Sequence, residues 1–98
     1  MEIIKKKEGC VLNVALEGRL DTTTAPQLEE VIKTELDGVS ELIFDFAKLD
    51  YISSAGLRVM LTAQKTMNTQ GSMKIRNVCE EIREVFEITG FNDILTIE

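Results

Sequence analysis

The chain has 98 residues, and its 11 Lys and Arg against 17 Asp and Glu give a formal net charge of −6 with no histidine. A chain of this length has room for one modest hydrophobic core, so we expect one domain spanning residues 1–98. The acidic balance argues against a nucleic-acid partner, because binding a phosphate backbone requires a concentrated basic face. Without histidine there is no imidazole base and no Ser-His or Cys-His nucleophile, and we expect no enzymatic activity.

Cysteine usage and hydropathy indicate the compartment. Cys10 and Cys79 both lie among apolar neighbours, which favours buried free thiols in a reducing compartment over a disulfide. Two cysteines do not suffice for a four-ligand zinc site, and we expect neither a metal nor another cofactor. No segment approaches the roughly 20 apolar residues that cross a bilayer, and the first residues lack the apolar run of a signal peptide. We therefore expect a cytoplasmic protein with no membrane partner.

The amino-terminal segment predicts an antiparallel hairpin. Apolar residues alternate with polar ones over residues 10–17, which is the period of a half-buried strand. A turn at Glu8 and Gly9 connects this segment to a first strand over residues 3–7. Three consecutive lysines in that first strand are typical of a solvated edge strand that resists pairing with other chains.

An amphipathic stripe predicts the first helix. Its apolar residues recur at i, i+3, i+4 and i+8, and they are Leu28, Val31, Ile32 and Leu36. Two starts are compatible with the sequence, because Thr24 with Gln27 fits a capping box, whereas Pro26 favours the first helical position. Gly38 is placed to end the helix.

The rest of the chain repeats a rhythm of strand and helix. In chain order, the predicted elements are a buried strand over residues 42–46, a second helix over residues 55–70 closed by Gly71, a strand over residues 73–76, a third helix ending at Gly90, and a last strand over residues 94–97. Asn77, with Glu80 three residues later, is the predicted cap of the third helix. Such units predict a mixed α/β fold: a mainly parallel sheet with an N-terminal antiparallel hairpin, packed with about three to four helices.

The connection from the buried strand into the second helix carries the candidate site. In open α/β folds, ligands and partners gather at the carboxyl ends of parallel strands. Ser53 and Ser54 lie at that point, and capping alone, worth about 1 kcal/mol, explains one of the two serines. A phosphate on Ser54 would meet backbone N–H groups and the positive end of the helix dipole, with Arg58 one turn away. Ser54 is therefore the candidate phosphorylation site, with Ser53 as the alternative.

Helical spacing separates two faces of the second helix. Its predicted exposed stripe comprises Ser54, Arg58, Thr62, Lys65 and Thr69, and its predicted buried side comprises Val59, Met60, Ala63 and Met67. Leu57 and Leu61 flank the stripe, either as partly exposed anchors for a partner or as core residues. The loop over residues 21–23 leaves the carboxyl end of the strand before the first helix, at the same end of the sheet as the two serines. The predicted partner-binding residues are therefore Asp21, Thr22, Thr23, Ser53, Ser54, Gly56, Leu57 and Arg58.

Several motifs in order resemble the STAS domain of the small bacterial anti-sigma factor antagonists. The motifs lie at residues 18–21, 24–26, 51–57, 71 and 85–91, so the resemblance covers nearly the whole chain. It implies that the unphosphorylated protein binds an anti-sigma factor that is also a serine kinase, which frees the sigma factor. It also implies that the kinase uses ATP to phosphorylate one serine of the antagonist, and that a metal-dependent protein serine phosphatase reverses the modification.

The resemblance also indicates which serine is modified. In the family this serine typically follows an aspartate and lies three residues after an aromatic residue, which places it on Ser54, three residues after Tyr51. Ser53 stands here at the position of the aspartate. The alternative function is a STAS module that docks another partner without a phosphate switch, in a stressosome-like, response-regulator or lipid-transport complex.

Overall fold

The computed structural model describes Met1–Glu98 as a single α/β domain. Its elements in chain order are β1 (Glu2–Glu8), β2 (Val11–Leu20), α1 (Ala25–Glu35), β3 (Glu41–Ile52), α2 (Ser54–Gln70), β4 (Ser72–Arg76) and α3 (Glu80–Thr89). One turn of 3-10 helix at Phe91–Asp93 follows α3. None of the helices has the length and apolar composition needed to cross a membrane.

The four strands form one sheet in the order β1-β2-β3-β4. β1 pairs antiparallel with β2, whereas the pairs β2-β3 and β3-β4 are parallel. The predicted fold class, an N-terminal hairpin joined to a mainly parallel sheet, is therefore confirmed. β1 lies at the edge of the sheet and its three lysines are exposed, as predicted for an edge strand that resists pairing.

The helices cover one face of this sheet. Alternate residues of β2 and β3, including Leu12, Val14 and Phe44, belong to the same cluster of buried side chains as the apolar stripes of the helices. Ile82 and Phe86 bring α3 into that cluster. Each fully buried aliphatic or phenyl side chain contributes about 1.5–3 kcal/mol. One continuous core therefore fixes the helices relative to the strand ends that carry the candidate site.

β3 is longer than the sequence predicted, because it continues past residue 46 to Ile52. Its register with β2 shifts at two places, one of them between Gly18 and Arg19. Such bulges bend a strand and re-aim the side chains that follow. Gly18 has φ 104°, a conformation that a residue with a β-carbon rarely adopts. Beyond the bulges, β2 and β3 end side by side at the end of the sheet where α2 begins.

The start of α1 agrees with the capping-box prediction in position but not in hydrogen bonding. Ala25 is the first helical residue and Pro26 the second, and Thr24 stands at the N-cap without a side-chain capping bond. The backbone of Thr24 is helical, with φ −101° and ψ −23°, and its hydroxyl accepts from the Asp21 N–H at 2.8 Å instead. The same hydroxyl donates to the Arg19 carbonyl at 2.7 Å. The predicted N-cap residue is therefore confirmed and the predicted capping bond is wrong, because the Thr24 hydroxyl ties the loop to β2.

The predicted cap of α3 is also wrong. Cys79, and not Asn77, is the N-cap residue of this helix. Asn77 has φ 59°, because the chain turns sharply where it leaves β4. Its side-chain amide donates to the Asp45 carboxylate at 3.0 Å. Asn77 therefore stabilises a turn instead of a helix end.

The last predicted strand is reduced to one bridge. Ile75 and Ile97 form an isolated parallel bridge, in which the Ile75 N–H donates to the Thr96 carbonyl and the Glu98 N–H donates to the Ile75 carbonyl, both at 2.9 Å. The prediction of a strand over residues 94–97 is therefore wrong in extent.

Both cysteines are free thiols, as predicted. Cys10 is nevertheless exposed and Cys79 is only half-buried. The prediction that both are buried is wrong, because Cys10 lies in the turn of the amino-terminal hairpin, before β2 enters the core.

Candidate functional site

The carboxyl ends of β2 and β3 lie side by side at one end of the sheet. The Ser53 N–H donates to the Leu20 carbonyl at 2.9 Å, which joins the loops that follow the two strands. Arg19 and Tyr51 are register partners, and the guanidinium of Arg19 lies 4.2 Å from the Tyr51 ring centroid. A cation-π contact at an exposed site is worth about 0.5–1 kcal/mol. The sequence did not reveal this contact, because it depends on a register set by bulges.

Ser53 is the N-cap residue of α2. Its hydroxyl accepts a hydrogen bond from the Gly56 N–H at 3.4 Å, and its carbonyl accepts from the Leu57 N–H at 2.9 Å. Its backbone is extended, with φ −98° and ψ 176°, as an N-cap requires. The structural role predicted for one of the two serines is therefore filled by Ser53.

Ser54 is the first residue of α2, and its side chain is exposed. Its hydroxyl makes no hydrogen bond, in contrast to that of Ser53. Arg58, four residues along the helix, is also exposed and forms no ion pair. The predicted faces of α2 are confirmed: every residue of its polar stripe is exposed, and Val59, Met60, Ala63 and Met67 are buried.

Replacing Ser53 tests its capping role. We expect Ser53→Ala to lower the free energy of unfolding by about 1 kcal/mol, because the Gly56 N–H loses its acceptor. We expect Ser53→Asp to retain the stability, since a carboxylate accepts the same bond and interacts favourably with the helix dipole. Urea unfolding followed by circular dichroism measures both variants. Equal losses in the two variants would contradict the assigned cap.

Two of the predicted partner-binding residues lie inside the fold. Gly56 is buried, and a β-carbon on it would lie 2.7 Å from Leu20 Cγ and 2.8 Å from Ile52 Cγ1. Leu57 is only 6% exposed, so its interpretation as a partly exposed anchor is wrong and its core alternative is correct. The sequence left Leu57 open between these two interpretations because a residue beside a polar stripe borders the core as closely as it borders solvent.

The remaining predicted residues lie in the loop before α1 and at the start of α2, and we call them together the Ser54 surface: Asp21, Thr22, Thr23, Ser53, Ser54 and Arg58. Thr22 from the loop before α1 and Arg58 from α2 line one cavity of about 220 Å³. Ala55 and Pro26 contribute to its walls. The Ser54 surface thus combines two loops and the first turns of two helices.

The Asp21 carboxylate is held within its own loop. Its Oδ1 accepts from the Thr23 hydroxyl at 2.8 Å and from the N–H groups of Thr23 and Thr24 at 3.0 and 3.1 Å. These bonds, chiefly the one from the Thr23 hydroxyl, lower the pKa of Asp21 against an opposing desolvation. The loop therefore favours the ionised carboxylate.

The lowered pKa of Asp21 gives a pH prediction. Because the native pKa lies below the unfolded value of about 3.9, the stability that Asp21 contributes is present above that pH and is lost as the pH falls through the native pKa. We expect the Asp21 carboxyl carbon to titrate below pH 3.9 by NMR. Thr23→Val should raise the pKa towards its ordinary value, whereas Thr22→Val, which alters a neighbouring hydroxyl without a bond to the carboxylate, should leave it unchanged. An unchanged titration in Thr23→Val would contradict the assigned cause.

Comparison with known proteins identifies the family. The family model of the STAS domain matches residues 2–98. The chain belongs to the STAS domain family. It is 36% identical over 99 aligned residues to BtrV of Bordetella bronchiseptica, a candidate anti-sigma factor antagonist, covering 99% of this chain and 85% of BtrV. It is 31% identical over 86 residues to the anti-sigma-B factor antagonist of Staphylococcus aureus, covering 86% of this chain and 80% of the relative.

Solved STAS structures share the fold. SpoIIAA in its unphosphorylated form aligns with a TM-score of 0.79 at 19% identity over 99% of this chain and 87% of SpoIIAA. The phosphorylated form of SpoIIAA, from Bacillus, aligns with a TM-score of 0.78 at 20% identity over 99% of this chain and 91% of that chain. The resemblance seen in the sequence is thereby confirmed. STAS anti-sigma factor antagonists are regulatory binding proteins and not enzymes, as expected for this chain.

Proposed function

We propose that this protein is a cytoplasmic anti-sigma factor antagonist switched by phosphorylation of Ser54. In its unphosphorylated form, it binds an anti-sigma factor that is also a serine kinase, and the sigma factor is released. The kinase then transfers the γ-phosphoryl group of ATP to the Ser54 hydroxyl, with ADP as the leaving group, and the complex dissociates. A metal-dependent protein serine phosphatase removes the phosphate and restores binding.

The observation that carries this proposal is the difference between the two serine hydroxyls. The hydroxyl of Ser53 accepts the Gly56 N–H, and the residue is half-buried. The hydroxyl of Ser54 is exposed and makes no hydrogen bond, so a kinase reaches it without breaking a capping interaction. This supports Ser54 over Ser53 as the phosphate acceptor, although the two residues are chemically identical.

The position of Ser54 also supports a switch that leaves the fold intact. A phosphate at the first helical residue would lie near the free N–H groups and the positive end of the helix dipole, both of which stabilise negative charge. It adds a charge of about −1.5 to −2 to the surface. Ser54 lies next to Ala55, which lines the cavity shared by Thr22 and Arg58. The added charge therefore changes the Ser54 surface and not the core.

The relatives support the same partner class. BtrV and the staphylococcal relative are named as antagonists of anti-sigma factors, and SpoIIAA has a phosphorylated form. Carried over to this chain, these properties give a binding protein with an anti-sigma factor as its partner and a phosphate as its signal.

A release assay tests the proposed function. Fluorescence anisotropy of a labelled sigma factor, bound to the anti-sigma factor kinase of the same cell, is followed as unphosphorylated protein is added. We expect the anisotropy to fall as the sigma factor is released. Protein carrying phosphoserine at residue 54, introduced during synthesis, should leave the anisotropy unchanged.

Two results would contradict the proposal in different ways. No release by the unphosphorylated protein would exclude an antagonist of that anti-sigma factor. Equal release by both forms would show an anti-sigma factor antagonist that phosphorylation of Ser54 does not switch.

A further inference from the structure

The role of Asp21 on the Ser54 surface differs from that of an exposed charge. Its Oδ1 is occupied by four loop hydrogen bonds, from the N–H and hydroxyl groups of Thr23 and of Thr24. Its backbone carbonyl also accepts from the Ala25 N–H at 2.8 Å. Asp21 therefore satisfies donors of the loop and of the first turn of α1, whereas the side chain of the N-cap residue Thr24 makes no capping bond.

The charge of Asp21 is also matched within the chain. Its Oδ2 lies 3.8 Å from Nε of Arg19, and that guanidinium is stacked over Tyr51 at 4.2 Å. The Asp21 side chain is 29% exposed, against 62% for Arg19. A partner cation would have to compete with these loop hydrogen bonds and a neighbouring guanidinium for this carboxylate.

The loop that Asp21 holds forms one wall of the Ser54 surface. Thr22 and Thr23, both exposed, follow Asp21 directly. Thr22 lines the same cavity as Ala55 and Arg58 from the first turns of α2. Without the carboxylate, the Thr23 N–H loses its acceptor and the Thr24 N–H keeps only the Asp21 backbone carbonyl at 3.2 Å, so that Thr22 is held less firmly against α2.

We propose that Asp21 is a positioning residue, whose carboxylate folds the loop before α1 so that Thr22 faces the first turn of α2, and which makes no charge contact with the partner. This inference rests on the proposed function, because the partner is the anti-sigma factor kinase. Asp21 could act by positioning the loop or by a charge contact with the partner. Asp21→Ala does not distinguish these two roles, because it removes both a loop acceptor and a negative charge.

Asparagine distinguishes these roles. Its side-chain oxygen accepts the same N–H bonds, but it carries no charge. We expect Asp21→Asn to bind the kinase within about threefold of the wild type, whereas Asp21→Ala binds on the order of tenfold more weakly. Isothermal titration calorimetry with the purified kinase measures all three proteins. Hydrogen exchange of the Thr23 amide, whose acceptor is the carboxylate, is measured by NMR on the free proteins and should remain slow in Asp21→Asn and become fast in Asp21→Ala.

Three outcomes would contradict either the positioning role of Asp21 or the proposed function. If Asp21→Asn binds as weakly as Asp21→Ala while its Thr23 amide stays protected, Asp21 contacts the partner through its charge and the inference is overturned. If Asp21→Ala keeps both its protected Thr23 amide and its affinity, the carboxylate does not position the loop. If the wild type itself does not bind the kinase, the proposed function fails, a result distinct from the first two.

Discussion

Ser54→Asp should weaken binding to the anti-sigma factor kinase on the order of a hundredfold, because a charge placed against a partner surface fitted to a neutral hydroxyl costs several kcal/mol. The substitution puts a permanent negative charge on an exposed side chain at the first residue of α2. The helix dipole favours an acidic residue at this position, so the fold should be as stable as that of the wild type. Calorimetric titration measures the affinity, and thermal unfolding checks the stability.

Asn68→Asp provides the matched control. Asn68 is exposed on the same helix, about 21 Å from Ser54 at 1.5 Å per residue. An aspartate there adds the same charge and still offers an acceptor to the Gln64 amide, which now donates to Asn68 at 2.9 Å. We expect its affinity to stay close to that of the wild type. Equal weakening by Ser54→Asp and Asn68→Asp would show an effect of net charge and not of the Ser54 surface.

Gly71→Ala should be the most destabilising small substitution in the chain. A β-carbon on Gly71 would overlap the carbonyl oxygen of Ser40 and lie 2.6 Å from its carbonyl carbon. Backbone atoms cannot rotate away as a side chain does, and the Ser40 carbonyl also accepts the Ser72 N–H at 3.0 Å. We expect a loss of about 3 kcal/mol or more, a large part of the 5–15 kcal/mol that is typical of a folded domain. Urea unfolding measures it.

Gly38→Ala distinguishes a steric overlap from backbone strain as the cause of destabilisation. Gly38 has φ 80°, but no heavy atom lies within 4 Å of the position of its β-carbon. Its replacement should cost only about 1–2 kcal/mol, the penalty of the left-handed conformation. If Gly38→Ala destabilised the protein as much as Gly71→Ala, the approach of Ser40 to Gly71 would not be the cause.

Local periodicity was sufficient to predict most of the architecture. The spacing of polar and apolar residues in α2 correctly separated its exposed and buried faces, because a helix repeats a short-range pattern. The extent of β3 was not predictable in the same way. Residues 47–52 extend β3 through a pairing with β2 that includes register shifts, and such shifts depend on contacts between segments distant in sequence.

The sequence predicted where the two serines lie along the chain, but not which hydrogen bonds the side chains of the candidate site make. The sequence placed Ser53 and Ser54 at the start of α2, but only the hydrogen bond from the Gly56 N–H shows which hydroxyl is occupied. It placed Asp21 on the same surface as a partner-binding residue, but not as the acceptor that folds its own loop. Turn-stabilising bonds of this kind depend on backbone angles that no spacing of residue types specifies.

We propose Ser54 as the residue whose phosphorylation switches the protein. The most direct test incubates the protein with the anti-sigma factor kinase and ATP, then determines intact mass and fragmentation of the product. We expect one phosphate per chain, located on Ser54, full phosphorylation of Ser53→Ala and none of Ser54→Ala. A phosphate on Ser53, or stoichiometric phosphorylation of Ser54→Ala, would contradict the account.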